Sequence, residues 1–93
     1  ITMATLTKAQ KEQVEQLRKG LMKWAAMELS LMEDNKPELL KERLEAGTLE
    51  EWLDQTQDRM EEKHSNLLQQ GLNSLEANEV VRQELLEEYL PEM

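Results

Sequence analysis

The sequence predicts an all-α protein, a small antiparallel bundle of three to four helices. Two long runs, 8–32 and 49–70, carry apolar residues at the spacing of an amphipathic helix. Between them lies a shorter run, 37–46, with Pro37 at its start and Gly47 just past its end. Because this short element turns the chain, we expect the two long helices to pack antiparallel at a crossing angle of about 20°.

The first predicted helix covers residues 8–32. Thr7 and Gln10 have the spacing of a capping box at its start, and the run contains no proline and one glycine, Gly20. We therefore predict one continuous helix. Its core-facing stripe on a helical wheel consists of Val14, Leu17, Leu21, Trp24, Ala25, Leu31 and Met32.

The second and third predicted helices follow directly. Helix 37–46 is too short to be stable alone, so we expect it to dock on the long helices through its leucines. Thr48 and Glu51 have the spacing of a capping box for the third helix, 49–70. The predicted buried face of that helix consists of Leu49, Trp52, Leu53, Thr56, Met60 and Leu67.

The stretch 71–78 can either end the third helix at Gly71 or continue it with a kink. We favour a break. Asn78 would then cap a last helix over 79–90, which Pro91 would stop. A chain of this length forms one domain, to which all the predicted helices belong. We expect this domain to cover residues 3–93, since Ile1 and Thr2 precede Met3 and are expected to be a cloning remnant.

The composition excludes several classes of function. The chain has 93 residues with 20 acidic and 11 basic side chains, a net charge of −9. Such a charge repels phosphate backbones and anionic lipids, so we expect neither nucleic acid nor a membrane as a partner. There is no cysteine, which excludes disulfides and cysteine nucleophiles, and no apolar run reaches the roughly 20 residues of a membrane span. We expect a cytoplasmic protein.

The apolar surface of the first helix beyond Leu21 is wider than one neighbouring helix needs. We therefore expect a homodimer, and a small acidic intracellular module that acts by protein–protein contact as an adaptor or regulator. We assign it no catalytic role. The predicted partner or dimer interface consists of Leu21, Met22, Trp24, Met27, Leu29, Met32 and Trp52.

A metal site is one alternative. Glu61 and His64 form a Glu-x-x-His pair, and Glu28 lies within the apolar stripe of the first helix. Through this one short motif the chain resembles the ferritin-like di-iron carboxylate proteins, in which two such pairs and two further glutamates bind the metals. A dimer would supply the second set and make an iron-dependent oxidase. In the simpler interpretation, His64 lies at the core edge and Glu28 pairs with a lysine or arginine.

An acidic inhibitor that imitates nucleic acid is the other alternative. Its carboxylates would have to form one continuous exposed stripe that a DNA-binding protein accepts in place of phosphates. In the simpler interpretation they are the solvated faces of two helices. The residues concerned are Glu50, Glu51, Asp54, Asp58, Glu61, Glu62, Glu84, Glu87, Glu88 and Glu92.

Overall fold

The computed structural model describes residues 6–89, and all regular structure in this part of the chain is α-helical. The all-α prediction is confirmed. Within 6–89 there are five helices, because the first predicted helix is divided in two. They are α1 (Lys8–Lys19), α2 (Lys23–Asn35), α3 (Pro37–Ala46), α4 (Leu49–Gln69) and α5 (Ser74–Tyr89). The predicted remnant at residues 1–2 and the predicted stop at Pro91 lie outside the described residues.

The predicted continuous helix 8–32 is wrong, because the chain leaves the helical conformation between Gly20 and Met22. Gly20 ends α1 with its N–H bonded to the Arg18 and Leu17 carbonyls, and Met22 is extended at φ −79° and ψ 173°. The start of α2 is then capped from a distant residue. The Gln57 side-chain oxygen accepts hydrogen bonds from the backbone N–H groups of Trp24 (2.8 Å) and Ala25 (3.0 Å).

The turn that contains α3 forms as predicted. Pro37 occupies the first turn of α3, and Gly47 ends it in the left-handed conformation at φ 73°. The predicted capping box of α4 is wrong: the side chain of Thr48 makes no capping hydrogen bond. Its backbone lies at φ −110° and ψ 0°, outside the extended region that directs an N-cap side chain toward the first helical turn.

A break between α4 and α5 also forms, but α5 begins at Ser74 rather than at residue 79. The predicted cap at Asn78 is wrong, because Asn73 caps α5. Its side-chain oxygen accepts the Glu76 N–H at 2.9 Å, and the Glu76 carboxylate accepts the Asn73 N–H at 3.2 Å. Asn78 instead lies within α5, where it accepts a hydrogen bond from Lys23 at 3.0 Å.

The core is built around α2, which packs against α3, α4 and α5. Each fully buried aliphatic side chain there contributes about 1.5–3 kcal/mol relative to an exposed one. α1 lies at the edge of the core and adds Val14 to it. The largest fully buried apolar side chains are Leu29, Met32, Leu40, Leu53, Met60, Val81 and Leu85.

The helices are offset along their length. α2 and α4 run antiparallel, since Trp24 meets Gln57 and Glu28 meets Trp52. Residues 58–69 of α4, about 18 Å of helix, follow the residue that caps α2. α5 packs antiparallel to α4 through the Arg59–Glu88 and Lys63–Glu84 pairs, so its first turns extend in the same direction. These first turns reach the start of α2, where Lys23 hydrogen-bonds to Asn78.

Candidate functional site

Glu28 is the most unusual side chain of the core, a carboxyl group only 1% exposed on the central helix. One of its oxygens accepts hydrogen bonds from the Trp52 indole N–H at 2.7 Å and from the Tyr89 hydroxyl. The other oxygen is buried without a hydrogen-bond partner. Because a buried carboxyl needs donors to offset its lost hydration, these three residues form one unit that ties α2, α4 and α5 together.

Each aromatic partner of Glu28 carries a cation over its ring. The Arg43 guanidinium lies 4.1 Å from the centroid of the Trp52 ring, and Lys36 lies 5.7 Å from that of Tyr89. A cation over an aromatic face is attracted by the ring quadrupole and contributes about 0.5–1 kcal/mol at an exposed site. The expected direct pairing of Glu28 with a lysine or arginine is wrong, because its hydrogen bonds come from Trp52 and Tyr89 and it forms no ion pair within residues 6–89.

Burial raises the pKa of Tyr89 well above its usual value, and the hydrogen bond to Glu28 raises it further. A negatively charged phenolate would lose its hydration and face the Glu28 carboxyl group. The Tyr89 hydroxyl is thus held as a donor at neutral pH. It fixes the last residue of α5 to the centre of the bundle.

The predicted metal ligands do not come together within one chain. No group of three or more histidine, aspartate or glutamate side chains in residues 6–89 could hold a metal ion. Glu28 is bound by Trp52 and Tyr89, and the Glu61 carboxylate accepts a hydrogen bond from the Gln57 amide at 2.9 Å. His64 is partly buried, and its Nε2 has no hydrogen-bond partner.

Most of the predicted interface residues lie inside this single chain. Trp24, Leu29 and Met32 are buried in the core, so in this conformation they have no surface to offer a partner. Three others, Leu21, Met27 and Trp52, pack against the core and are partly buried. Met22 alone among the seven is exposed, at 65%.

Four large apolar side chains are exposed in the described part of the chain: Met22 at 65%, Leu75 at 78%, Leu68 at 42% and Val80 at 40%. They lie just before α2, near the end of α4 and in the first turns of α5. Leu68 and Leu75 flank the α4–α5 connection, and Leu75 lies one helical turn before Asn78, which contacts the neighbour of Met22. We call these four residues the end surface.

The predicted acidic stripe is partly present. Glu50, Asp54, Asp58 and Glu62 repeat at four-residue intervals on α4 and are all exposed, and none pairs with a cation within residues 6–89. We call them the acidic row. The stripe does not extend across α5, because Glu84 pairs with Lys63 and Glu88 with Arg59. Glu92 lies outside the described residues.

Comparisons with known protein families, with curated protein sequences and with solved structures found no match to this chain. A search of the helices within residues 6–89 found none that is both long and apolar enough to cross a bilayer. The assignment of function therefore rests on the surfaces and contacts described above.

Proposed function

We propose that this chain is a small helical interaction module that self-associates through the end surface. The observation that carries this proposal is the exposure of Leu75 and Met22, which lie at the neighbouring starts of α5 and α2. Isolated exposed leucines are ordinary, but four large apolar side chains at one end are typical of an interface centre. A second copy is the occupant that we propose for it.

The charges around the end surface favour a second copy. Lys19 and Lys23 lie close to Met22 along the chain, and Glu76 and Glu79 lie close to Leu75. Within one chain, Lys23 hydrogen-bonds to Asn78 and Glu79 lies 3.9 Å from Arg82. In a two-fold dimer, residues on one side of the axis contact the partner's residues from the other side. If the axis passes between the lysines and the glutamates, the lysines of one copy would meet the glutamates of the other. Apolar centres with polar rims of this kind are the common arrangement of protein interfaces.

The test is sedimentation equilibrium of the unaltered chain and of a Leu75→Glu variant. We expect the unaltered chain to show a reversible dimer of twice 10.9 kDa, and the variant to dissociate at least about tenfold more readily, because it buries a charge at the centre of the interface. Ala9→Glu is the matched control. It adds the same charge at an exposed site on α1, whose first turn lies beside Glu45 and away from the end surface.

Two results would overturn this proposal. The first is a chain that stays monomeric at all accessible concentrations. The second is a dimer whose dissociation constant Leu75→Glu and Ala9→Glu change equally, since the interface would then lie elsewhere.

The acidic row favours a second candidate function, the binding of a basic protein surface in place of nucleic acid. Its carboxylates repeat every 6 Å or so along α4, close to the roughly 6.8 Å rise between alternate phosphates of one DNA strand. Like charges four residues apart repel and destabilise a helix by about 0.2–0.5 kcal/mol per pair. A basic partner would relieve that repulsion.

Fluorescence polarisation with a labelled arginine- and lysine-rich peptide tests the acidic row. We expect binding that weakens as salt rises and that an Asp54→Asn, Asp58→Asn double variant reduces about fivefold or more. A double variant with the same change of charge elsewhere, Glu12→Gln with Glu87→Gln, should have a smaller effect. If both double variants weaken binding equally, only the net charge attracts the peptide and the acidic row is not a site.

A further inference from the structure

A cleft of about 350 Å³ lies between α1 and the turn that joins α3 to α4. Its apolar wall is formed by Leu17, Leu44 and Leu49, and its polar wall by Arg43, Gln16 and Glu50. A volume of this size falls within the range of small-molecule sites, which usually combine apolar walls with a few oriented polar groups. The cleft is separate from the end surface, and it shares Glu50 with the acidic row.

Arg43 is the distinctive group of this cleft. Although the chain has 20 acidic residues, Arg43 forms no ion pair within residues 6–89. Its guanidinium is held in a fixed plane by stacking on Trp52, 4.1 Å from the ring centroid. A stacked guanidinium loses little further freedom when it binds a carboxylate with two parallel hydrogen bonds.

Two buried polar atoms beside the cleft lack hydrogen-bond partners. They are Nε of Arg43 and the hydroxyl oxygen of Thr48, which lies between the cleft residues Gly47 and Leu49. Buried polar atoms are nearly always hydrogen-bonded in folded proteins, so Arg43 is held here without the partners that an arginine usually has. Both atoms are enclosed by protein, so a ligand in the cleft would reach Arg43 through its terminal nitrogens and not through Nε.

We propose that this cleft binds a small organic monocarboxylate. The carboxylate pairs with Arg43, and an apolar body of about ten heavy atoms lies on Leu17, Leu44 and Leu49. Glu50 lies at the same cleft and repels any anion there, so the pairing with Arg43 has to outweigh this repulsion. A second negative charge on the ligand would add to the repulsion without a second cation to offset it.

The test is a titration of the full chain followed by amide and methyl NMR, with octanoate as the probe and octanamide as its neutral counterpart. The two molecules have nearly the same shape, and octanoate is used below the concentration at which it forms micelles. We expect octanoate to shift the resonances of Leu17, Leu44 and Leu49, and to bind about tenfold or more tightly than octanamide.

Variants separate the role of Arg43 from its contribution to folding. Arg43→Met keeps an apolar chain over Trp52 but should abolish the preference for octanoate, whereas Arg43→Lys keeps the charge and should retain part of it. Arg82→Met, at an exposed arginine on α5, is the matched control and should leave octanoate binding unchanged. The far-UV circular dichroism of each variant reports whether it is folded.

Three outcomes would overturn the proposal. One is that octanoate fails to bind the unaltered chain at millimolar concentrations. Another is that octanamide binds as tightly, so that the cleft selects only for an apolar body. The third is that a folded Arg43→Met variant keeps the preference for octanoate.

Discussion

Gln57 provides the sharpest test of how this fold is held together. Its side-chain oxygen accepts two backbone N–H groups at the start of α2, at 2.8 Å and 3.0 Å. A Gln57→Leu substitution removes that oxygen from a residue only 5% exposed and leaves both donors buried. Each buried donor without a partner costs about 1–3 kcal/mol, so we expect a loss of about 2–6 kcal/mol.

This loss is large for a chain of this size. A domain of 93 residues has a free energy of unfolding of about 5–14 kcal/mol, so the variant should lie close to the threshold of folding. Urea unfolding followed by the fluorescence of Trp24 and Trp52 measures the effect. The midpoint should fall with little change in the slope of free energy against urea, because a similar area is exposed on unfolding.

A charge-exchanged pair is the matched control. In the unaltered chain the Gln57 amide donates a hydrogen bond to the Glu61 carboxylate. Gln57→Glu alone keeps the acceptor for α2 but loses this donor and places two carboxylates one helical turn apart. With Glu61→Gln added, the side chain at position 61 donates the hydrogen bond and the side chain at position 57 accepts it. The carboxylate at position 57 then faces the N-terminus of α2, where negative charge is favourable. We expect the double variant to lie within about 1 kcal/mol of the unaltered chain. If Gln57→Leu lies within about 0.5 kcal/mol of it as well, Gln57 is not the cap of α2.

Three further predictions concern Tyr89, the partner of Glu28, and Gly47. Tyr89→Phe removes one of the two donors to the buried Glu28 carboxyl and should lower the free energy of unfolding by about 1–3 kcal/mol in urea titrations. Because burial raises the pKa of Tyr89 in the folded state, stability should be undiminished below the ordinary tyrosine pKa of about 10 and fall above it. Gly47→Ala, at φ 73°, should cost about 1–2 kcal/mol in thermal unfolding.

The pH series and Gly47→Ala each have a control. In the pH series, Tyr89→Phe should show a smaller fall above about pH 10 than the unaltered chain, and an identical fall would contradict the assigned role of Tyr89. Gly20→Ala is the control for Gly47→Ala. Gly20 has φ −100°, and a Cβ there would come no closer than 3.9 Å to its nearest neighbour, so we expect a change within about 0.5 kcal/mol.

The sequence predicts those elements whose signals are local. The start of α1 at its capping box and the whole of α3 are as predicted, since Thr7, Pro37 and Gly47 act on their own neighbours. The break before α2 has a weak local signal in Gly20, which ends α1, but the cap of α2 comes from Gln57, more than 30 residues away. The predicted start of the last helix at residue 79 is wrong, although the three-residue spacing of Asn73 and Glu76 is a local signal for a start at Ser74.

The buried carboxyl illustrates the same limit at the candidate site. Its position within an apolar stripe marks Glu28 as unusual from sequence alone. Its partners could not be chosen in the same way, since Trp52 and Tyr89 lie on two other helices and reach it only once α2 is central. The break between α1 and α2 also changes the predicted interface. A continuous helix 8–32 implies a wide apolar surface without a partner, whereas α2 buries Leu29 and Met32 within the chain.

The most direct measurement of the central proposal is a dilution series of methyl-labelled chain followed by NMR. Self-association through the end surface predicts that the methyl resonances of Met22, Leu68, Leu75 and Val80 shift with concentration while those of the buried Leu29 and Leu53 stay fixed. The result that would contradict it is a set of end-surface resonances that do not move with concentration, or shifts that concentrate on another face of the bundle.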